Sequence, residues 1–193
     1  MTDLASPGVV SLRVSKRTEA ELVADARRGD HEAYRLLVRR YEALAFRTAY
    51  AITGSAVEAE DAAQEGFLKA YQALGRFRSG APLRPWLLRI IANEARSRRR
   101  ASLRRERLSR RLASASEPTS TVEADALASD EHRRLFAAVD ALGADDRLAI
   151  LARFIFELSE EETAAVLGVR RGTAKMRVFR ALRRLRAALE VSE

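Results

Sequence analysis

From Thr18 nearly to the end of the chain, apolar residues recur every three or four positions, and no run alternates apolar and polar β-formers. That periodicity leaves helices as the only regular element and predicts an all-α fold. Thr18-x-x-Glu21, Ser55-x-x-Glu58 and Ser159-x-x-Glu162 have the spacing by which a hydroxyl and a carboxylate cap one helix start reciprocally. Gly29-Asp30, Gly54, Gly75, Ser79-Gly80-Ala81-Pro82, Gly143 and Gly168 supply the breaks between helices. The spacing predicts helices over 19–28, 31–52, 57–74, 84–108, 130–142, 145–157, 160–167 and 171–189.

Between 112 and 129 the sequence LASASEPTSTVEADALAS offers small, polar and acidic residues around Pro118 and nothing bulky enough for a core. It reads as a flexible acidic linker. The expectation is two small helical domains, 18–111 and 130–193, each of a size that can fold alone, with residues 1–17 as a loose tail.

Charge separates the parts further. The chain carries 35 basic and 27 acidic residues for a net +8, and all but three of the basic residues are Arg. Residues 94–111 carry +7, 112–130 carry −4, 131–169 carry −4 and 170–186 carry +8. Two basic blocks divided by acidic ground point to two contacts with a polyanion. With no Cys and only His31 and His132, thiolate catalysis, disulfides and Cys- or His-built metal sites have no ligands, so no metal or cofactor is expected. No apolar run reaches membrane-spanning length and the N-terminus lacks the pattern of a signal peptide, which predicts a cytoplasmic protein without membrane insertion.

Ser159–Arg180 reads as a helix-turn-helix: a capped short helix, Ala164 at the close approach, Gly168 at the turn, then an Arg-rich helix. Leu158, Val166, Leu167, Val169 and Val178 form its buried side. Arg170, Arg171, Thr173, Lys175, Met176, Arg177 and Arg180 are left for a DNA groove. Glu160-Glu161-Glu162 suits a first helical turn, where the macrodipole favours anions, better than acid catalysis.

A second constellation runs from Gly75 to Arg100. Pro85 fits a first helical turn and biases Arg84 toward an extended conformation. Trp86, Leu87, Ile90 and Ile91 make an apolar stripe in which Trp86 is a core residue before it is a stacking platform. Arg89, Asn93, Arg96 and Arg100 share one face and can track a phosphate backbone.

At these residues the chain resembles an ECF (extracytoplasmic function) sigma factor, the two-domain promoter-recognition subunit of bacterial RNA polymerase. Asp61-Ala-Ala-Gln64-Glu65-Gly-Phe67-Leu68-Lys69-Ala70 is similar to the family's region 2 pattern D-x-x-Q-E-x-F-x-x-A. Phe77-Arg78 followed by Arg84-Pro-Trp86-Leu-Leu-Arg89-Ile-Ile-Ala-Asn93 resembles F-R…R-x-W-L-x-R-I-x-x-N. Leu142–Arg147 and Glu162–Ala181 resemble the two patterns of region 4.

The resemblance implies that Asp61, Gln64, Glu65, Phe67 and Leu68 dock the clamp coiled coil of core polymerase. It implies −10 element contacts, including a base flipped from the melted strand, by Arg76, Phe77, Arg78, Arg84, Trp86, Arg89, Asn93, Arg96 and Arg100. Region 4 is implied to read the double-stranded −35 element through Arg170, Arg171, Thr173, Lys175, Met176, Arg177 and Arg180, and to offer 130–157 to the polymerase flap. An anti-sigma factor is implied as a further partner, and no catalysis.

The chain departs from many relatives at Ala62-Ala63, Gly66, Pro85, Ser97, Arg170 and Ala174. Gly66 inside a helix costs about 1 kcal/mol against Ala, and Arg170 is a poor helix cap. Two other functions compete: a free-standing helix-turn-helix regulator, and a nuclease holding Mg²⁺ on Glu58, Asp61 and Glu65.

Overall fold

The structure, a computed structural model, describes residues 17–78, 80–112 and 130–190, with the side chains of 110–112, 130–133 and 136 undescribed. The expected linker beyond Leu112 and the tail before Arg17 lie outside the described residues. Eight α-helices follow in order among them: α1 (Glu19–Arg27), α2 (His31–Thr53), α3 (Ala56–Ala73), α4 (Leu83–Leu112), α5 (Asp130–Asp140), α6 (Ala144–Ile150), α7 (Glu160–Leu167) and α8 (Arg171–Glu190). No strand occurs among the described residues.

Of the three expected capping boxes, two form in full. Thr18 with Glu21 and Ser159 with Glu162 form complete capping boxes. At Ser55 the hydroxyl accepts from the Glu58 N–H but the Glu58 carboxylate does not reach back; it faces Arg105 at 4.0 Å instead. Arg17, assigned to the loose tail, is tied down, pairing with Asp25 and with Asp30. The helix expected over 145–157 changes pitch: α6 widens into a π turn over Leu151–Ile155 and stops at Glu157, which takes a left-handed φ of 52°. The Ala152 carbonyl there accepts from the Leu158 N–H, and Arg153 donates to the Leu158 carbonyl beyond the turn.

The glycine that opposes helix propensity has a packing reason. A Cβ built on Gly66 would stand 2.8 Å from Ile91 Cδ1 and 3.2 Å from Ile91 Cα. Helices α3 and α4 cross there at a distance that only glycine permits.

The two halves do not keep to themselves. One apolar cluster runs from Leu22, Leu37 and Ile52 through Leu88 and Ile91 into Leu148, Phe156, Val166 and Leu167. Helix α2 packs on α6, and α4 packs on α7. A second, smaller cluster of Ala138, Leu142, Ile150, Ala181 and Leu185 joins α5, α6 and α8. No described helix is long and apolar enough to cross a membrane.

Candidate nucleic-acid and docking interfaces

On α3 the inward positions Ala59, Ala62, Ala63, Gly66 and Ala70 are buried. The opposite face therefore carries Val57, Asp61, Gln64 and Leu68, one stripe at spacings of four, three and four. Val57 and Leu68 are large exposed apolar side chains, at 71% and 53%, with carboxylates beside them. Sequence reading did not single out Val57, although its position in the stripe could have revealed it. Phe67 turns the other way: it packs against the core, and the Tyr34 hydroxyl donates to its carbonyl. Burial pushes the Tyr34 hydroxyl above its ordinary pKa.

Asp61 and Glu65 on this face are each paired. Arg98 donates to Asp61 at 2.9 Å, and Lys69 lies 3.7 Å from Glu65 and also binds Glu94. The hydrogen bond from Lys69 to Glu94 is the main cause of a raised lysine pKa. With Arg105 beside Glu58, the three carboxylates of the nuclease reading each face their own cation, and no group of three or more possible ligands gathers for a metal among the described residues.

A 3₁₀ turn at Leu74–Arg76 ends α3 and leads into the Gly/Pro loop. Arg76 and Arg78 are exposed. Phe77, expected at DNA, is 6% exposed and packs against Trp86 with ring centroids 4.9 Å apart. Its place in the core follows from the turn, whose Phe77 N–H returns to the Leu74 carbonyl. Trp86 is half-buried and packs against the core. Beneath the loop lies a cavity of about 290 Å³ lined by Phe77, Gly80, Ala81 and Leu83 and closed on the other side by Val23 and Arg27 of α1.

Along α4, Arg89, Asn93 and Arg100 are exposed on one face and Arg84 is half-buried. Arg96, on that same face, is not free. It donates to Asn93 Oδ1 at 3.2 Å, to Asp145 Oδ1 at 3.2 Å and to the Leu167 carbonyl at 3.4 Å, the last two in the other half of the chain. Arg99 donates to the Ile52 carbonyl at 2.7 Å, near the C-terminal end of α2 where a cation is favoured.

In the C-terminal half, Arg147 ties α5 to α6 by donating to the carbonyls of Val139, Asp140 and Leu142. On α8, Ala174, Ala181 and Leu185 are buried, while Arg171, Thr173, Lys175, Met176 and Arg180 are exposed, as is Arg170 just before it. Arg171 folds back on α7, 2.9 Å from Glu160 and 2.6 Å from Glu161. Its hydrogen bond holds the Glu160 carboxyl below its ordinary pKa and raises that of the guanidinium. Arg177 is partly covered and lies 2.7 Å from Asp145 Oδ2. Arg184 pairs with the mostly buried Asp146 at 2.6 Å. Phe154 and Ile155 on the π turn are more than half exposed.

Residues 37–105 match the family described as sigma-70 region 2, and residues 132–185 match sigma-70, region 4. The chain is 31% identical to the RNA polymerase sigma-H factor of Pseudomonas aeruginosa, across 92% of this chain and 96% of that protein. It is 33% identical to the ECF RNA polymerase sigma-E factor of Escherichia coli K12, across 85% of this chain and 90% of that protein. Among solved structures it is similar to the sigma factor RpoE of Bartonella quintana in complex with the anti-sigma factor NepR, with a TM-score of 0.67 and 27% identity over 83% of this chain and 98% of the other.

Proposed function

The chain belongs to the ECF family of RNA polymerase sigma factors, and from that premise we propose how its surfaces divide the work. It binds core polymerase and directs promoter-specific initiation. Such factors are non-enzymatic: bond formation belongs to the polymerase, and this chain supplies recognition in the cytoplasm. A free-standing regulator would need only the helix-turn-helix and would leave region 2 without a purpose.

Residues 18–111 dock the polymerase and handle the −10 element, and 130–193 handle the −35 element. The stripe of Val57, Asp61, Gln64 and Leu68 meets the clamp coiled coil, with apolar side chains for burial and carboxylates for steering. Phe67 supports that helix from behind. The observation that carries the −10 assignment is the cavity under the Gly/Pro loop that leads into α4. Its volume suits one extruded base, and Arg76, Arg78, Arg89, Asn93 and Arg100 stand outside it for the strand's phosphates. Phe77 and Trp86 hold the loop's base in shape. Helix α8 enters the −35 major groove by its N-terminal half, where Arg171 and Lys175 are placed to read base edges. The exposed Phe154 and Ile155 are offered to the flap. By similarity to the complex of RpoE with NepR, an anti-sigma factor is a further partner.

Transcription with reconstituted holoenzyme tests the whole reading. Filling the cavity by Ala81→Phe should lower opening at the −10 element and leave binding to core polymerase intact. Normal opening by the Ala81→Phe holoenzyme would overturn the assignment of the cavity.

A further inference from the structure

The centre of the outward face of α8 is apolar. Its buried side is Ala174, Ala181 and Leu185. At about 100° per residue, the positions in its first half turned furthest from these are Gly172, Met176 and Phe179, spaced by four and three. Met176 and Phe179 are 54% and 53% exposed and belong to neither apolar cluster. Lys175 flanks the stripe on one side and Arg180 on the other, both exposed, and α8 carries no carboxylate before Glu190. An apolar stripe bordered by cations alone matches a major groove, whose walls are phosphate and whose floor carries one apolar group, the C5-methyl of thymine. Gly172 adds an independent observation. Its φ is not left-handed, and a Cβ built on it meets nothing within 4 Å. Neither the backbone nor packing within the chain requires glycine here, in contrast to Gly66. A bare backbone on an outward face suits a close approach from outside the chain.

From this geometry we infer that Gly172, Met176 and Phe179 make the chain specific for thymine in its upstream element. The glycine lets α8 sit close to the groove floor, and the two side chains pack on thymine C5-methyl groups. Lys175 and Arg180 reach base edges and phosphates to either side. The inference rests on the proposed entry of α8 into the −35 major groove and names what the helix reads there. Cations favour phosphate and guanine edges, and the apolar stripe adds a contact that distinguishes thymine from cytosine. It equally distinguishes thymine from uracil, which lacks only that methyl. Burying one methyl group is worth about fourfold in affinity.

Holoenzyme reconstituted from core polymerase and the full chain first selects its upstream element from random duplex DNA. The selected element should contain A·T pairs. Each thymine, on either strand, is then replaced singly by deoxyuridine, which removes the methyl and keeps the O4 acceptor and the base pair. At one or two positions the parent holoenzyme should bind the uracil duplex about fourfold more weakly. Met176→Ala and Phe179→Ala should each erase that difference at one position. Leu182→Ala, which removes an exposed apolar side chain from beside the stripe, should keep it. Gly172→Ala should not lower the melting temperature of the chain, since helices prefer Ala to Gly, yet should weaken binding to the thymine duplex severalfold. Full affinity of Gly172→Ala would remove the close approach. A uracil penalty that persists in both Met176→Ala and Phe179→Ala would overturn the assignment to these side chains, and a selected element of G·C pairs alone would overturn the methyl reading. Arg171→Ala separates the two levels. If it flattens upstream preference while every thymine is replaceable by uracil, α8 reads the groove through its cations and the thymine inference alone fails, leaving the stripe to a protein partner. If neither change matters, the placement of α8 in the groove fails with it. An unchanged helical circular-dichroism signal in Met176→Ala and Phe179→Ala excludes unfolding as the cause.

Discussion

Gly66 and Ile91 meet so closely that a β-carbon on the first would overlap the side chain of the second and press on its Cα at 3.2 Å. Intrinsic propensity favours Gly66→Ala by about 1 kcal/mol. Packing opposes it, because Ile91 is fully buried and its Cδ1 has little room to move. The overlap should win, and Gly66→Ala should destabilise by about 1–3 kcal/mol. Shortening the partner in Gly66→Ala/Ile91→Val should recover part of the loss. Urea denaturation decides it: a single variant more stable than the parent would mean that the helices are further apart.

Glu157 occupies left-handed backbone at φ 52° without being glycine. The crowding of its Cβ costs on the order of 1–2 kcal/mol, partly offset by the extra freedom that glycine has when unfolded. Glu157→Gly should raise the melting temperature, by about 1 kcal/mol of stability at most. Glu157→Val, β-branched at the same φ, should lower it. A melting series that ranks Val above Gly would place this turn elsewhere on the backbone map.

Three carboxylates are held below their ordinary range. The Thr18 backbone N–H and then its hydroxyl act on Glu21, the Ala33 N–H and then Arg17 on Asp30, and the Arg171 hydrogen bond on Glu160. A group with a depressed folded pKa binds fewer protons folded than unfolded. Its contribution is complete above the ordinary value, 4.5 for Glu and 3.8 for Asp, and is lost as the pH falls through the folded value. Stability should therefore decline below about pH 4.5. Asp30→Asn keeps an acceptor for the cap of α2 but cannot titrate, so it should make that decline shallower. Denaturation midpoints across the acid range read this directly, and an unchanged slope would remove Asp30 from the titrating set.

Leu68 is more than half exposed on α3, so Leu68→Asp should change folding stability by less than about 0.5 kcal/mol. Holoenzyme formation should weaken by 1 kcal/mol or more, as for a truncated apolar contact at an interface. Val57→Asp should act alike. Fluorescence titration against core polymerase checks both, and full affinity in both variants would move the docking face off this stripe.

Arg171 is engaged by Glu160 and Glu161 before any DNA arrives. Glu161→Gln should release it in part and tighten −35 binding. Arg171→Ala should flatten preference at one or two base pairs, worth about 1–3 kcal/mol for a bidentate guanine contact. Arg183→Ala, further along α8, should weaken all sequences alike. A binding survey in which Arg183→Ala relaxes specificity and Arg171→Ala does not would shift the reading end of the helix.

Local rules carried the helices. Thr18, Ser159 and Gly168 act through neighbours within a few residues, and the spacing that announces a capping box or a left-handed turn is the spacing that makes it. What escaped was tertiary. Gly66 looked like a cost because the close approach of Ile91, 25 positions away, leaves no local mark. Nothing local marks Asp145, and only the fold sets it between Arg96 and Arg177. Phe77 matched a motif that says which residue recurs but not which way its ring points. The pitch change after Ile150 has no signature in a run of apolar residues that suits either helix.

The most direct measurement is a transcription assay with core polymerase on a library of random upstream sequences, with and without this chain. Core plus chain should start at sites sharing two motifs at fixed spacing, with Arg171→Ala altering only the upstream motif and Ala81→Phe only the downstream one. Starts no more selective than those of core alone would contradict the assignment of promoter recognition to these two surfaces.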